Sequence, residues 1–222
     1  MRIAIDGPAG AGKSAISDEV AKRLSILHLD TGAMYRAVAL ACLQRKIDLS
    51  KEEDITRCCR KIHMDIVYKN GTQHTIIDGE DVTDLIRQNE VGDAASRISM
   101  YSGVRKLLVE SQRNIASSQD IIMDGRDIAT NVLPDAEVKI YLTADIEERA
   151  RRRCLELQSR GVQSSFEDTL ISLRNRDYQD LTRENAPLHC AFDAVVIDTT
   201  TLTFNESIDS VLSVIKQHKS KL

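Results

Sequence analysis

The sequence predicts an α/β fold in which a parallel sheet is flanked by helices, and three features lead to this prediction. A short apolar strand, Arg2 to Asp6, leads through a glycine-rich loop into a helical pattern. Further apolar strands alternate with helical patterns along the chain, which is typical of parallel sheets. Residues 62–84 instead hold two short β-like runs with Asn-Gly and Asp-Gly turns, which indicate a small antiparallel insert.

Local patterns predict the individual elements. Strands after the first are predicted at residues 26–29, 121–123, 138–142 and 195–197. A helical repeat of apolar residues follows the glycine-rich loop, and another runs from Phe204 to Ile215. The spacing of Ser50 with Glu53, and of Thr203 with Glu206, matches the capping box and predicts two helix starts.

Composition excludes several classes of protein. The 222 residues carry a net charge of −4, which disfavours a strongly basic protein that binds nucleic acid. The five cysteines are odd in number and include no CxxC, so we expect a reducing, cytoplasmic location and not a secreted disulfide framework. The apolar run near the N-terminus, Ile3 to Ile5, is too short for a signal peptide or a membrane span.

The glycine-rich loop satisfies the pattern GxxxxGK[ST] in full, directly after a strand and at the start of a helix. This context is the one a P-loop requires, because backbone N–H groups and the helix N-terminus then surround phosphate oxygens. Lys13 would supply a positive charge to the β- and γ-phosphates, and Ser14 a hydroxyl ligand for Mg²⁺. A chance glycine-rich turn is the weaker interpretation. The loop residues are Gly7, Pro8, Ala9, Gly10, Ala11, Gly12, Lys13 and Ser14.

A P-loop indicates a nucleotide but not a reaction. The DxxG and NKxD motifs of GTPases and an LSGGQ-like signature of ABC ATPases are absent from the sequence. The remaining interpretation is a small-molecule kinase, which needs an acceptor site rich in arginine. Three clusters of charged residues could build one.

Two of these clusters come directly after predicted strands. Ligands of parallel sheets bind at the carboxyl ends of the strands, so both clusters lie where a ligand is expected. In the first, Asp30 and Thr31 suit a helix cap, and Arg36 follows about a turn and a half later. In the second, the strand ends in Asp124, the arrangement of a carboxylate that supports Mg²⁺, and Arg126 and Asp127 come next. A capped helix with a solvated arginine, or a surface Arg–Asp pair, would also account for these patterns.

The third cluster combines Arg176, Asp180 and Arg183, whose spacing would put all three on one helix face. A solvated charged face is the ordinary explanation of such a run. A fourth basic group, residues 149–153, lies on a helix that is predicted to start near Asp145. Some of its arginines could reach ATP from a lid, but the pattern does not indicate which. Contact with nucleic acid or plain solvation would also account for this group.

Taken together, the motifs resemble the bacterial cytidylate kinase family over almost the whole chain. The matching segments are IDGPAGAGKS at 5–14, LDTGAMYRAVAL at 29–40, DGEDVT at 78–83, MDGRDIAT at 123–130, LPDAEVKIYLTAD at 133–145 and NAPLHCAFDAVVIDTTTL at 185–202. The resemblance implies a P-loop NTPase core, and transfer of the γ-phosphoryl group of ATP to CMP and dCMP with Mg²⁺. It also implies no nucleic-acid or membrane partner, and we expect a monomer.

The resemblance also implies roles for single residues. The P-loop with Ala15 would bind ATP, while Ser14 and Asp124 would hold the metal. Lys13, Arg126 and Arg176 would be catalytic through charge neutralisation. The positions that match the substrate site are Thr31, Arg36, Ser96, Arg105, Arg126, Asp127, Arg176, Asp180 and Arg183. Two departures are small: Ala15 replaces the usual Thr, and Ala129 replaces a Gly, which could stiffen the loop that bears Asp127.

The implied organisation is a single kinase domain over residues 1–222. The core would comprise about 1–60, 90–153 and 187–222, with a CMP-binding insert at about 61–89 and a short lid at about 154–166. Two alternatives stay open: a kinase for another small acceptor, such as a different nucleotide or shikimate, and a non-catalytic protein gated by ATP. The number of arginine and aspartate residues outside the P-loop disfavours the second alternative.

Overall fold

Two structural units make up the chain in the computed structural model, which describes residues 1–69 and 71–219. The first unit comprises Met1–Ser25 and the chain from Ile122 onward, and the second comprises Ile26–Ile121. The strands are β1 Arg2–Asp6, β2 Leu27–Asp30, β3 Met64–Lys69, β4 Thr72–Ile77, β5 Glu80–Asp81, β6 Ile121–Gly125, β7 Val138–Thr143 and β8 Val195–Asp198. The helices are α1 Lys13–Leu24, α2 Thr31–Gln44, α3 Glu52–Lys61, α4 Asn89–Ile98, α5 Ser102–Ala116, α6 Ile146–Ser159, α7 Phe166–Thr182 and α8 Phe204–Lys219.

A parallel sheet with flanking helices forms the centre of the first unit. Its strands lie in the order β6, β1, β7, β8, and β7 runs parallel to both β1 and β8. Ile3 pairs with Val138, and Ile140 with Val195. Strands β1 and β7 are apolar because both of their faces are covered. Helices α1 and α8 pack together, and α8 also packs on β7 and β8.

Strands β1 and β6 end next to residues that the sequence assigned to the candidate site. Strand β1 ends at Asp6, directly before the P-loop, and β6 ends at Gly125, directly before Arg126. Every residue of β6 is buried, as in a central strand of an α/β sheet. A π-helical turn, Ile128–Val132, follows β6 and packs against β1.

The second unit contains α2 to α5, the strand β2 and a three-stranded antiparallel sheet in the order β3, β4, β5. Met64 pairs with Ile77, and Lys69 pairs with Thr72, which confirms the antiparallel arrangement expected for residues 62–84. Helix α2 is buried along most of its length because it packs against α4, α3 and β4. A short 3₁₀ turn, Leu85–Arg87, joins the small sheet to α4.

Most of the expected elements are confirmed. The capping box at Thr203 forms: the Glu206 amide donates to Thr203 Oγ1 at 3.3 Å, and the Thr203 amide donates to Glu206 Oε2 at 2.8 Å. Residue Asn70 of the predicted turn and residues 220–222 of the predicted core segment lie outside the described residues. The domain boundaries predicted for core, insert and lid stay predictions, although the insert at 61–89 falls within the second unit.

The capping box expected at Ser50 is wrong. Helix α3 begins at Glu52 with Lys51 as its N-cap, and Lys51 makes no side-chain cap. Both the amide and the hydroxyl of Ser50 instead donate to Asp48 Oδ1, at 2.9 and 2.8 Å. Ser50 therefore belongs to a local turn closed by the carboxylate two residues earlier, and its hydroxyl does not cap the helix.

Candidate active site

The P-loop joins β1 to α1 in the conformation that its glycines permit. Gly7 has a φ of 151°, and a Cβ there would lie 1.9 Å from the carbonyl oxygen of Leu142 on β7. Only glycine therefore allows the loop to pass this close to the neighbouring strand. Gly12 is the N-cap of α1 at a φ of 86°, so it offers no side-chain cap and leaves the helix N-terminus open to a ligand.

Lys13 is buried within the loop. Its Nζ donates to the carbonyl oxygen of Pro8 at 2.8 Å, and 5% of the residue is exposed. Burial lowers the pKa of Lys13 to about 7, with a further contribution from the positive charge of Arg126. A phosphate group beside this amine would restore the charged form, because opposite charges favour ionisation.

Ser14 and Asp124 meet across the sheet edge. Ser14 Oγ donates to Asp124 Oδ2 at 2.7 Å, although the two residues are 110 positions apart in sequence. Asp124 is buried at the end of β6, and Ser14 is the second residue of α1. A hydroxyl and a carboxylate in contact are the oxygen ligands that Mg²⁺ prefers, so this pair fits the expected metal site.

Arg126 and Asp180 form an ion pair that links the end of β6 to α7. Arg126 Nε donates to Asp180 Oδ2 at 2.8 Å, and the Asp180 side chain is 7% exposed. Burial acts to raise the pKa of Asp180, but Arg126, Arg176 and Arg183 outweigh it, so this pKa lies below its usual value. Asp180 therefore stays ionised and holds the Arg126 guanidinium in position.

Asp127 and Arg183 form a second buried pair. Arg183 Nη2 donates to Asp127 Oδ1 at 3.3 Å, and Asn131 Nδ2 donates to Asp127 Oδ2 at 3.0 Å. Arg183 also donates twice to the carbonyl oxygen of Ala186, at 2.9 Å and 2.6 Å. The expectation of one shared helix face is wrong for Arg183, because α7 ends at Thr182 and Arg183 has an extended backbone. Arg176, half-buried on α7, lies one turn before Asp180.

The second unit holds the other expected substrate residues, beginning at the start of α2. Asp30 caps this helix, since its Oδ1 accepts from the Ala33 amide at 2.9 Å. Its Oδ2 accepts from Arg36 Nη2 at 2.8 Å. Burial acts to raise the pKa of Asp30, but Arg36 and His28 outweigh it and lower the pKa. Thr31 is buried as the first residue of the helix.

Arg105 is buried inside the second unit, where it contacts Tyr35 and Ser99. Its guanidinium carbon lies 5.9 Å from the centre of the Tyr35 ring, and Nη1 donates to the carbonyl oxygen of Ser99 at 3.4 Å. Ser96 is half-buried on α4. Thr31, Arg36, Ser96 and Arg105 thus belong to the second unit, while the remaining expected site residues belong to the first.

Known proteins and one family model resemble this chain over nearly its whole length. The family model described as cytidylate kinase matches residues 3–217. The chain belongs to the cytidylate kinase family. It is 49% identical over 212 residues to a cytidylate kinase of Caldicellulosiruptor saccharolyticus, covering 96% of this chain and 94% of that protein. It is 42% identical over 217 residues to cytidylate kinase 1 of Haemophilus influenzae, covering 98% and 94%.

The family confirms the resemblance and the enzyme class expected from the sequence, a kinase that uses ATP. The fold is similar to a solved structure of an uncharacterized protein from Eubacterium ventriosum. That similarity has a TM-score of 0.54 at 13% identity and covers 97% of this chain and 98% of the other. In residues 1–69 and 71–219, no helix is both long and apolar enough to cross a lipid bilayer.

Asp6 is a residue that the sequence analysis of this cytidylate kinase family member did not single out, and it contacts the turn beside the candidate site. Its two carboxylate oxygens accept from the amides of Ile128 and Ala129, at 2.8 and 2.7 Å. Burial raises the pKa of Asp6 to about 6, against the effect of these amides. Asp6 thereby anchors the turn that follows Arg126 and Asp127. Its position directly before Gly7, where an apolar strand ends in a carboxylate, was the available signal.

Arg149, one of the arginines of the basic group, contacts the P-loop. It is buried and donates to the carbonyl oxygen of Ala9 at 3.0 Å and to Asp177 Oδ2 at 2.7 Å. The exposed Arg151 pairs with Glu148 on the helix surface. A sequence pattern could not separate these two arginines, because only the packing of α6 against α7 decides which side is covered.

Gln73 is a second residue that the sequence did not indicate. Its Oε1 accepts from the Asp30 amide at 2.8 Å, so the small antiparallel sheet is bonded directly to the residue that caps α2. Tyr68 of the same sheet donates to the carbonyl oxygen of His28 at 2.8 Å. The insert therefore positions the segment that bears Thr31 and Arg36.

Proposed function

We propose that this chain transfers the γ-phosphoryl group of ATP to CMP and dCMP, giving ADP and CDP or dCDP, in pyrimidine nucleotide metabolism. The observation that carries the proposal is the family match over residues 3–217, a span that includes every residue assigned to the site. The assignment of roles to single residues is part of the proposal.

The P-loop supplies the ATP site. Its open backbone and the N-terminus of α1 would bind the phosphates together with Ala15. Lys13, whose Nζ donates to the carbonyl oxygen of Pro8 in the free protein, would move to a phosphate oxygen. Ser14 and Asp124, already in contact, would hold Mg²⁺, which when bound neutralises part of the phosphate charge.

Two arginines are proposed for the phosphate of the acceptor. Arg36 and Arg126 would bind the phosphate of CMP, because a guanidinium suits phosphate geometry. Each is already oriented by a carboxylate, Asp30 and Asp180 respectively, so little side-chain freedom is lost on binding. The residues proposed for the base and ribose are Thr31, Ser96, Arg105, Asp127, Arg176, Asp180 and Arg183.

The reaction needs no covalent intermediate on the protein and no strong base. An oxygen of the CMP phosphate, already anionic at neutral pH, would form the new bond to the γ-phosphorus as the bond to the β-phosphate oxygen breaks. Lys13 would stabilise the charge that moves onto ADP, and Arg126 and Arg176 the charge on the transferred group. Catalysis is thus positioning and charge neutralisation.

Asp127 would distinguish cytosine from uracil. An ionised carboxylate only accepts hydrogen bonds, so it suits the exocyclic amine of cytosine and repels the carbonyl of uracil. Arg105 and Arg183 only donate, so they suit the bare N3 and O2 of cytosine. The contacts that attract one base therefore reject the other.

A coupled assay of ADP release with CMP, dCMP, UMP and AMP tests the proposal. We expect CMP and dCMP to be the preferred acceptors. Asp127→Ala should lower kcat/KM for CMP sharply, and should reduce the ratio of kcat/KM for CMP to kcat/KM for UMP. Removal of a charged partner costs about 2 kcal/mol, or roughly thirtyfold, for CMP and much less for UMP. Asn131→Ala keeps the carboxylate and serves as the control.

Three results of this assay would contradict the proposal. Preference for another acceptor would support the rival kinase, and ATP binding without transfer to any acceptor would support a non-catalytic ATP switch. Equal losses on CMP and UMP in Asp127→Ala would make Asp127 a structural residue. We further propose a cytoplasmic location, which is supported by five cysteines that form no disulfide. We also propose a monomer.

A further inference from the structure

A cavity of about 580 Å³ lies at the end of α2 and along α3, within the second unit. Its size falls in the usual range for sites that bind small molecules. None of the residues assigned above to ATP or CMP lines it. Five of its lining residues are basic: Arg45, Lys46, Lys51, Arg57 and Lys61.

The carboxylates that line this cavity already have partners. Asp48 accepts from the amide and hydroxyl of Ser50, and Asp54 accepts from Arg57 at 3.1 Å. In contrast, the ammonium groups of Lys46, Lys51 and Lys61 make no ion pair with any side chain in residues 1–69 and 71–219. Five basic side chains line the cavity against two carboxylates, and Asp78 beyond the lining pairs with Arg45. A formal excess of two positive charges remains, on a chain whose net charge is −4.

Arg45 makes two hydrogen bonds at the wall of the cavity. Its Nη2 donates to Asp78 Oδ2 at 2.9 Å, and its Nη1 donates to Cys58 Sγ at 3.2 Å. A hydrogen bond from Cys42 lowers the pKa of Cys58 to about 6, and Arg45 adds to this effect. Even with Cys58 ionised, the lining keeps an excess of positive charge.

We propose that this cavity is a second anion-binding site, which takes a small phosphorylated molecule. Positive charges gathered around one hollow repel each other, and an anion between them would relieve that repulsion. The guanidinium of Arg45 and the ammonium groups of Lys51 and Lys61 are the kinds of donor that bind phosphate in proteins. The site is independent of the function proposed above.

Calorimetric titration with inorganic pyrophosphate at low salt tests this site, in a Lys13→Ala background that weakens phosphate binding at the P-loop. We expect Lys51→Ala/Lys61→Ala to weaken pyrophosphate binding about tenfold, because two charges near a polyanion are lost. The control pair, Arg60→Ala/Lys106→Ala, removes two exposed positive charges of the same unit that do not line the cavity. It should leave the affinity within about twofold.

Alkylation of Cys58 gives a local measurement of the same binding. Pyrophosphate should slow its reaction with the neutral reagent iodoacetamide over the concentration range found by calorimetry, since a bound anion disfavours the thiolate. Cys59 does not line the cavity and is the internal control. Equal effects of the two substitution pairs, no pyrophosphate binding, or no slowing at Cys58 would each overturn the proposal.

Discussion

Lys13 should take up a proton when ATP binds, and the number of protons can be measured. In the free protein, burial lowers the pKa of Lys13 from 10.5 to about 7. At pH 8 only about one-tenth of the molecules would then carry a charged Lys13. Phosphate groups in the P-loop should raise this pKa again, so binding at pH 8 should bring close to one proton into each complex.

The size of the effect follows from the burial of Lys13. The difference between a pKa of about 7 and one of 10.5 corresponds to roughly 5 kcal/mol against the charged form in the empty loop. Because the residue is 5% exposed, water screens little of this cost. If only the charged form binds well, the affinity for ATP should fall by up to about tenfold for each pH unit above 7.

Calorimetric titration of a non-hydrolysable ATP analogue at pH 8, in HEPES and in Tris, counts the protons. The two buffers differ in their heat of ionisation, so the difference in binding heat gives the uptake. The terminal phosphate is itself mostly ionised at this pH and contributes little. Lys13→Arg keeps a permanent charge and should take up almost no proton. Equal uptake by both proteins would refute the reasoning, since Lys13 would then be charged already.

Further predictions concern the residues around the loop. Burial raises the pKa of Asp6 to about 6, above its unfolded value near 3.8. Protonation of Asp6 therefore adds to the free energy of unfolding. This contribution is fully present below pH ~4 and is lost as the pH rises through 6. The free energy of unfolding in urea should therefore fall by about 2 kcal/mol between pH 4 and 7 in the wild type, beyond any change seen in Asp6→Asn. If the free energies of the two proteins changed in parallel with pH, this prediction would be wrong. Arg149→Met should cost about 3 kcal/mol because it removes a buried guanidinium and leaves the Asp177 side chain, which is 15% exposed, without this partner. The exposed Arg151→Met should change stability by less than about 0.5 kcal/mol. Similar melting temperatures for the two variants would show that Arg149 is not a support of the P-loop. Amide exchange in the predicted lid, 154–166, should slow on addition of CMP and the ATP analogue, because the linker 160–165 has no helix or strand of its own in the free protein. Unchanged exchange there would argue against a closing lid.

Local sequence carries the features that depend on neighbouring residues. The P-loop could be predicted because its glycines, lysine and serine are contiguous and the strand and helix beside it have clear patterns. The contact between Ser14 and Asp124 could also be predicted from the sequence, although the residues are 110 positions apart. The carboxyl ends of parallel strands lie at one edge of the sheet. A strand that ends in Asp therefore places its carboxylate near the P-loop, which follows another strand of the same sheet.

Choices among equivalent residues required the tertiary structure. Arg149 and Arg151 are both arginines on α6, and only the packing of α7 buries one and exposes the other. The pKa values of Asp6 and Lys13 depend on burial by distant segments, which no local pattern contains. The spacing of Ser50 and Glu53 was compatible with a cap, but Asp48 competed for the serine and the helix began elsewhere. Sequence therefore specifies which groups are present and where each strand or helix tends to begin. Packing specifies which of these groups lose contact with water, and that loss sets their partners and their charge.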